Sequence, residues 1–263
     1  MRTVLFLKPV LYIVQERSDH VARNKFKKSK RYNSRRDANV IDFDDYTPSK
    51  QRKKRVEIIP RNETQEEYIF SIEDNTISFG IGPAGTGKTF IATLMGIQAL
   101  KNGEVDKIVI TRPAVSVEEQ HGFLPGTLIE KMAPWTKPIF DIFEEYYTPK
   151  QISTMIEEGI IEVSPLAYMR GRTFKYSWII GDEFQNCTIE QVKMCLTRIG
   201  DGSKMVITGD LDQHDRGYED NGLKDFIIRL EKKPSMNISV VKFNRNDVER
   251  NPIVAEVLKT YSE

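Results

Sequence analysis

Thiols and imidazoles are scarce in this chain, whose 263 residues include 2 Cys and 3 His. Two thiols are too few for a disulfide-stapled scaffold, and Cys187 and Cys195 fit no zinc-ligand spacing with the scattered histidines. The simplest compartment for such a chain is reducing and cytoplasmic. Long apolar runs are lacking as well. Residues 3–14 are apolar, but Lys8 and Pro9 interrupt them and no clear cleavage site follows. That stretch is too short to span a bilayer, so no membrane partner is expected, and it reads as a strand or a loose N-terminal segment. No internal repeat is visible, which argues against a solenoid.

A surplus of one charge is missing from the whole but not from its parts. The formal net charge is +1, yet residues 1–55 hold 16 Lys+Arg against 6 Asp+Glu, and the remaining residues hold 23 against 32. The chain therefore joins a basic leader to an acidic domain, an asymmetry that hints at a polyanion-binding arm. Residues 15–55 are polar and without apolar periodicity, so 1–55 is expected to be a basic, partly flexible extension. Its densest basic run is Arg23, Lys25, Lys27, Lys28, Lys30, Arg31, Arg35 and Arg36. Two readings stand side by side: salt-sensitive, sequence-indifferent phosphate contacts, or simple solubilisation. A folded domain is expected over 56–263, and 39% hydrophobic residues allow it a sizeable core.

Within that domain short apolar runs alternate with helical patterns, which predicts βαβ units and a parallel α/β sheet sandwiched by helices. Strands are expected at 76–81, 107–111, 160–163, 177–182, 204–208 and 238–242. Most are unbroken β-branched runs, suited to strands buried on both faces. Helices are expected at 88–101, 128–145, 153–158, 189–199 and 222–229. The first places Phe90, Ile91, Leu94, Ile97 and Leu100 at helical spacing and ends at Asn102-Gly103, a common C-terminal stop.

The strongest motif is Gly82-Pro83-Ala84-Gly85-Thr86-Gly87-Lys88-Thr89, a G-x-x-x-x-G-K-[ST] phosphate loop between an expected strand and an expected helix. Glycines let the backbone wrap closely around phosphate, successive N–H groups then point inward, and the helix N-terminus adds positive potential. Lys88 is the charge for the β- and γ-phosphates, and Thr89 the hydroxyl for Mg²⁺. Gly80-x-Gly82-x-x-Gly85 also spells a dinucleotide fingerprint, but the next strand ends in Thr111-Arg112 where that motif wants an acidic residue.

Next comes Trp178-Ile179-Ile180-Gly181-Asp182-Glu183, an apolar strand ending in two acids. Asp182 is expected to orient the magnesium shell and Glu183 to polarise the attacking water. Phosphoryl transfer asks a protein chiefly for positioning and charge neutralisation, and these residues supply both. The adjacent glutamate favours hydrolysis over transfer to another acceptor. A third strand delivers Thr208-Gly209-Asp210-Leu211-Asp212-Gln213, with Thr208 and Gln213 as sensors of the γ-phosphate and its water. Asp210, Asp212, Asp215 and His214 also compose a weaker candidate metal cluster.

These three motifs in order resemble the first RecA-like domain of superfamily 1 helicases, of the additional-strand catalytic-glutamate kind. Residues 110–115, 122–126, 165–174 and 208–210, with Asp247-Val248-Glu249-Arg250-Asn251-Pro252-Ile253-Val254, narrow the resemblance to the PhoH-like ATPase family, over roughly 62–261. The resemblance implies a single RecA-like core, ATP with Mg²⁺, assembly into a homo-oligomeric ring such as a hexamer, and a link to single-stranded RNA or DNA. The compact layout is similar to forms carried by bacteriophages, which would place it in the host cytoplasm. No room is expected for the nuclease or RNA-binding domain of some relatives, nor for a second RecA-like domain.

Gln65 resembles the glutamine that reads adenine in helicase-like ATPases, since an amide matches both a donor and an acceptor edge. The alternative is a solvated polar turn. For the cation over the γ-phosphate the candidates are Arg170, Arg172, Arg245 and Arg250. Arg170 and Arg172 stand between Tyr168 and Phe174, a grouping that equally suits nucleic acid. Arg250 is equally readable as structural, and Arg112 as a contact to nucleic acid or a neighbouring subunit. Two rivals to an ATP hydrolase remain: a nucleotide or nucleoside kinase, and a nucleotide-gated binding module without turnover.

Overall fold

Residues 55–113, 128–213 and 221–249, with Ile253 and Thr260, are described by the computed structural model. The expected leader, apart from Arg55, lies outside the described residues, as do residues 122–126, His214, Asp215 and Arg250.

The described strands are β1 (Ile77–Ile81), β2 (Lys107–Thr111), β3 (Ile161–Val163), β4 (Ser177–Gly181), β5 (Lys204–Gly209) and β6 (Ile238–Lys242). They pair in parallel in the order β3-β2-β4-β5-β1-β6. Parallel neighbours need crossovers, and helices supply them. Because successive strand residues point to opposite faces, each central strand feeds two cores. Ile108, Ile110, Trp178, Ile180 and Val206 pack on one side. Val109, Ile179, Met205 and Ile207 pack on the other.

The first face is covered by α1 (Glu63–Asp74), α2 (Lys88–Asn102), α3 (Leu128–Glu144) and α4 (Pro149–Glu157), which contribute Tyr68, Ile97, Phe143 and Ile152 to its core. The second face is covered by α5 (Ile189–Leu196) and α6 (Gly222–Lys232), through Val192, Cys195, Leu223 and Ile227. The fold is thus α/β, a RecA-like P-loop arrangement. β5 sits between β1, which delivers the phosphate loop, and β4, which delivers the acidic pair. No helix among the described residues is long and apolar enough to cross a membrane.

Four helices differ from the sequence expectation by more than one residue, among them α6, which runs to Lys232 rather than 229. Helix α1 was not anticipated because Glu63, Glu66 and Glu67 crowd its start and only Tyr68 and Ile72 form a fully buried apolar pair on it. Its N-terminus is set by Asn62, whose side chain accepts the Gln65 N–H. Its C-terminal end is held by Lys204 of β5, whose ammonium donates to the carbonyls of Ile72 (2.6 Å), Glu73 (2.5 Å) and Asn75 (3.1 Å). Helix α4 begins at Pro149 rather than 153, because Thr148 and Gln151 form a reciprocal capping box with Pro149 in the first turn. Helix α5 stops at Leu196 rather than 199, and the chain then turns so that Ile199 bridges in parallel to Phe174.

The contact of α2 with β4 sets the distance between the phosphate loop and the acidic strand. Trp178 donates its indole N–H to the Ala92 carbonyl at 3.1 Å, and a Cβ added at Gly96 would lie 2.7 Å from the Trp178 Cδ1. Gly96→Val therefore forces the helix off the sheet. It should lower the unfolding free energy by about 1–3 kcal/mol. Urea denaturation with an unchanged slope checks this; an unaltered midpoint would refute it.

Candidate active site

At the end of β1 the chain is drawn toward β5, because the Gly82 N–H donates to the Gly209 carbonyl at 3.0 Å. Two glycines are required here by geometry. Gly82 has φ 143°, and a Cβ on it would lie 2.3 Å from the Phe243 carbonyl oxygen. Gly87 has φ 86°, and a Cβ there would lie 2.9 Å from Gln65 Nε2. Gly87 is also the N-cap of α2 and offers no side-chain hydrogen bond. The first turn of a 15-residue helix thus begins with no side chain capping it, and Gly87, Lys88 and Thr89 line a cavity of about 270 Å³. Unpaired N–H groups and a helix dipole make such an end an anion site.

The lysine closes the loop from within. Lys88 Nζ donates to the carbonyls of Gly82 (2.7 Å) and Pro83 (2.6 Å) and lies 3.2 Å from Thr86 Oγ1. Thr86 in turn donates to the Pro83 carbonyl at 3.0 Å. Burial pushes the Lys88 ammonium below its usual pKa, and the charges of Asp210, Glu183 and Asp182 oppose that shift.

Asp182 follows β4 and gathers hydroxyls. Its Oδ1 accepts from Thr89 Oγ1 at 2.9 Å and from Thr208 Oγ1 at 2.6 Å. One hydroxyl and one carboxylate beside a phosphate cradle fit a hard cation that keeps water and phosphate oxygens as its other ligands, as Mg²⁺ does. Among the described residues no cluster of three His, Cys, Asp or Glu offers an alternative metal site. Arg112, at the end of β2, brings a guanidinium nitrogen within 3.9 Å of Asp182 Oδ2.

Glu183 is held in the left-handed region at φ 56° and ψ 40°, a conformation that costs a non-glycine residue energy and marks functional turns. Its Oε2 accepts from Gln185 Nε2, while Gln185 Oε1 accepts the Asp210 N–H at 3.1 Å. The exposed Gln213 also lines the cavity, its N–H donating to the Asp210 carbonyl at 3.1 Å. Lys88, Thr89, Asp182, Glu183, Thr208 and Gln213, expected from sequence, therefore meet around one cavity. Gln185 was not anticipated: a lone amide two residues past an acidic pair carries no periodic or spacing signal.

Gln65 departs from its expected setting. It is buried at 5% exposure, and its amide is engaged by the chain itself. Oε1 accepts the Arg61 N–H at 2.9 Å, and Nε2 donates to the Thr86 carbonyl at 3.0 Å. In this structure the residue braces the phosphate loop; reading both edges of adenine would need the amide to exchange partners. It borders a larger cavity of about 810 Å³, lined also by Arg61, Phe90, Ile91, Leu94 and Tyr146 and sharing Gly85 and Gly87 with the phosphate site.

The arginines are dispersed. Arg172 makes a two-pronged ion pair with Glu162 of β3 and lies 4.5 Å from the centre of the Phe174 ring. That pairing raises the Arg172 pKa and lowers that of Glu162. Arg170 is exposed, as is Tyr168 two residues earlier, and Arg245 is exposed in the turn after β6. Neither Arg170 nor Arg172 lines the phosphate cavity.

Comparison with known proteins places the sequence in a family. The profile of the family described as PhoH-like protein matches residues 57–262. A PhoH-like protein of Synechocystis is 44% identical over 198 residues, covering 75% of this chain and 60% of its own length. One of Bacillus subtilis is 45% identical over 201 residues, covering 76% and 62%. Protein PhoH of Escherichia coli is 38% identical over 209 residues, covering 78% and 58%. The chain thus spans about three-fifths of the length of these relatives. A Sulfolobus solfataricus SWI2/SNF2 ATPase core, solved in complex with double-stranded DNA, aligns with a TM-score of 0.41 at 13% identity, over 80% of this chain and 53% of its own. By profile and by identity, the chain belongs to the PhoH-like family.

Proposed function

We propose that this chain is a magnesium-dependent ATP hydrolase whose turnover is coupled to single-stranded RNA or DNA. The observation that carries the reading is the gathering of Lys88, Thr89, Asp182 and Glu183 around one cavity, with the glutamate beside the hydroxyl–carboxylate pair rather than part of it. When bound, magnesium supplies charge neutralisation to the phosphate oxygens. Thr89 and Asp182 would hold it, the loop N–H groups would orient the phosphates, and Lys88 would exchange the carbonyls of Gly82 and Pro83 for phosphate oxygens. Glu183 accepts a proton from the attacking water, and Gln213 holds that water in line. Gln65 serves nucleotide binding by bracing the loop at Thr86.

The polymer and the assembly belong to the same proposal. Exposed Tyr168 and Arg170, two residues apart, offer a stacking ring and a cation, and the basic leader offers phosphate contacts. A ring of identical subunits would bring a neighbour's arginine to the γ-phosphate. Arg170, Arg245 and Arg250 are the candidates, since Arg172 is already paired with Glu162.

Steady-state ATP hydrolysis with Mg²⁺, with and without single-stranded RNA and DNA, tests the reading. Lys88→Ala and Glu183→Gln should each lower turnover by about 100-fold or more, and a polymer should raise the wild-type rate. An assembled, ATP-bound wild type that does not turn over would sink the hydrolase reading. Chelation of the metal with EDTA should abolish turnover, and turnover that survives chelation would remove Thr89 and Asp182 from the metal-holding role. Gln65→Ala should weaken binding of ATP, GTP and inorganic tripolyphosphate alike, by about tenfold. A loss confined to ATP would return Gln65 to adenine reading.

A further inference from the structure

We propose that Gln185 is the positioning residue of water activation: its amide ties the Glu183 carboxylate to the tip of β5, so that the base and the phosphate-sensing turn move as one. The inference rests on the hydrolase reading above and adds to it a residue that acts through Glu183 rather than on the nucleotide.

The placement of the amide is specific. Gln185 is 1% exposed, in the short turn Phe184–Asn186 that follows Glu183 directly. A primary amide offers two donors and one acceptor oxygen, and here its opposite ends serve two different segments. The nitrogen donates to Glu183 Oε2 and the oxygen accepts the Asp210 N–H. The approach is close enough that a Cβ on Gly209 would lie 3.0 Å from Gln185 Oε1 and 3.3 Å from its backbone N. Both tied segments border the cavity. On the β5 side, Thr208 donates to Asp182 at 2.6 Å, and Gln213 is joined to Asp210 through its N–H at 3.1 Å. On the other side Glu183 stands on a left-handed backbone that alone does not fix a flexible carboxylate. With Oε2 occupied by the amide, Oε1 is the oxygen aimed at water, and movement of the β5 tip toward a phosphate is transmitted to it.

Two substitutions separate this from a packing role. Gln185→Glu keeps the size and the acceptor for Asp210 but sets an anion against Glu183, whereas Gln185→Met keeps the volume with neither hydrogen bond. Three quantities are measured for each: ATP turnover with Mg²⁺, the dissociation constant of a non-hydrolysable ATP analogue, and the melting temperature. The expected result is a fall in kcat between about 10- and 100-fold with analogue affinity close to wild type, both read below the melting temperature of each variant, which the anion buried by Gln185→Glu and the Asp210 N–H orphaned by Gln185→Met will lower. On the slow residual turnover of Glu183→Gln, adding Gln185→Met should change little, because the amide acts through the carboxylate that is already gone. Wild-type kcat in both variants, a loss of analogue affinity in step with kcat, or a kcat loss that multiplies fully with Glu183→Gln would each overturn the assignment while leaving the hydrolase intact. A wild type without turnover overturns both.

Discussion

One carboxylate oxygen holds the site together. Asp182 Oδ1 receives the hydroxyl protons of Thr89, from the first turn of α2, and of Thr208, near the end of β5. The Asp182 N–H meanwhile donates to the Thr111 carbonyl at the end of β2 at 3.0 Å. A helix and three strands are thus fixed to one residue at the carboxyl edge of a parallel sheet, where α/β folds place their ligands. The arrangement has a cost behind it. The Tyr68 ring fills the space above Gly80, with a would-be Cβ only 2.6 Å from its Cζ, and leaves its hydroxyl buried without a partner. Burial, and next the nearby Asp182 charge, push that phenol's pKa upward, so it stays neutral beside the acidic cluster.

The central strands were legible because burial on both faces leaves one composition, an unbroken run such as Lys107–Thr111, which matches the expected bounds; the edge strand Ile238–Lys242 matches its bounds too, on its β-branched residues. Their order was not written in any run. That β5 separates β1 from β4 follows from which helices cross which face, a property of the whole sheet. Helix α1 escaped notice because its stability comes from Tyr68 and Ile72 in the core and from Lys204, 132 residues beyond Ile72, closing its C-terminal end. Amphipathic patterning cannot register a helix whose C-terminal carbonyls are satisfied by a distant strand.

At the site the same division holds. Lys88, Thr89, Asp182 and Glu183 were readable because phosphate chemistry fixes their types and their positions relative to a strand end. Gln65 was readable as a residue, but its bonds to Arg61 and Thr86 depend on how α1 docks against the loop. The arginines show the limit most clearly. Arg172 reads in sequence as a free cation among aromatics, yet β3 places Glu162 against it, a partner ten residues earlier whose proximity comes from chain reversal between β3 and β4.

The electrostatics also bear on which nucleotide species the pocket favours under the proposed reading. Lys88 is buried and satisfied by loop carbonyls, while Asp182, Glu183 and Asp210 stand around the same cavity. A bare triphosphate would bring its charge against three carboxylates in a partly buried setting, where Coulomb terms are screened less than at the surface. A triphosphate already neutralised by a divalent ion would meet the opposite situation, because Thr89 and Asp182 would hold the ion and its charge would offset the repulsion. On the proposed reading the carboxylates would thus act as a filter, disfavouring bare phosphate and admitting it in the company of a cation, with the helix N-terminus beneath to hold the anion.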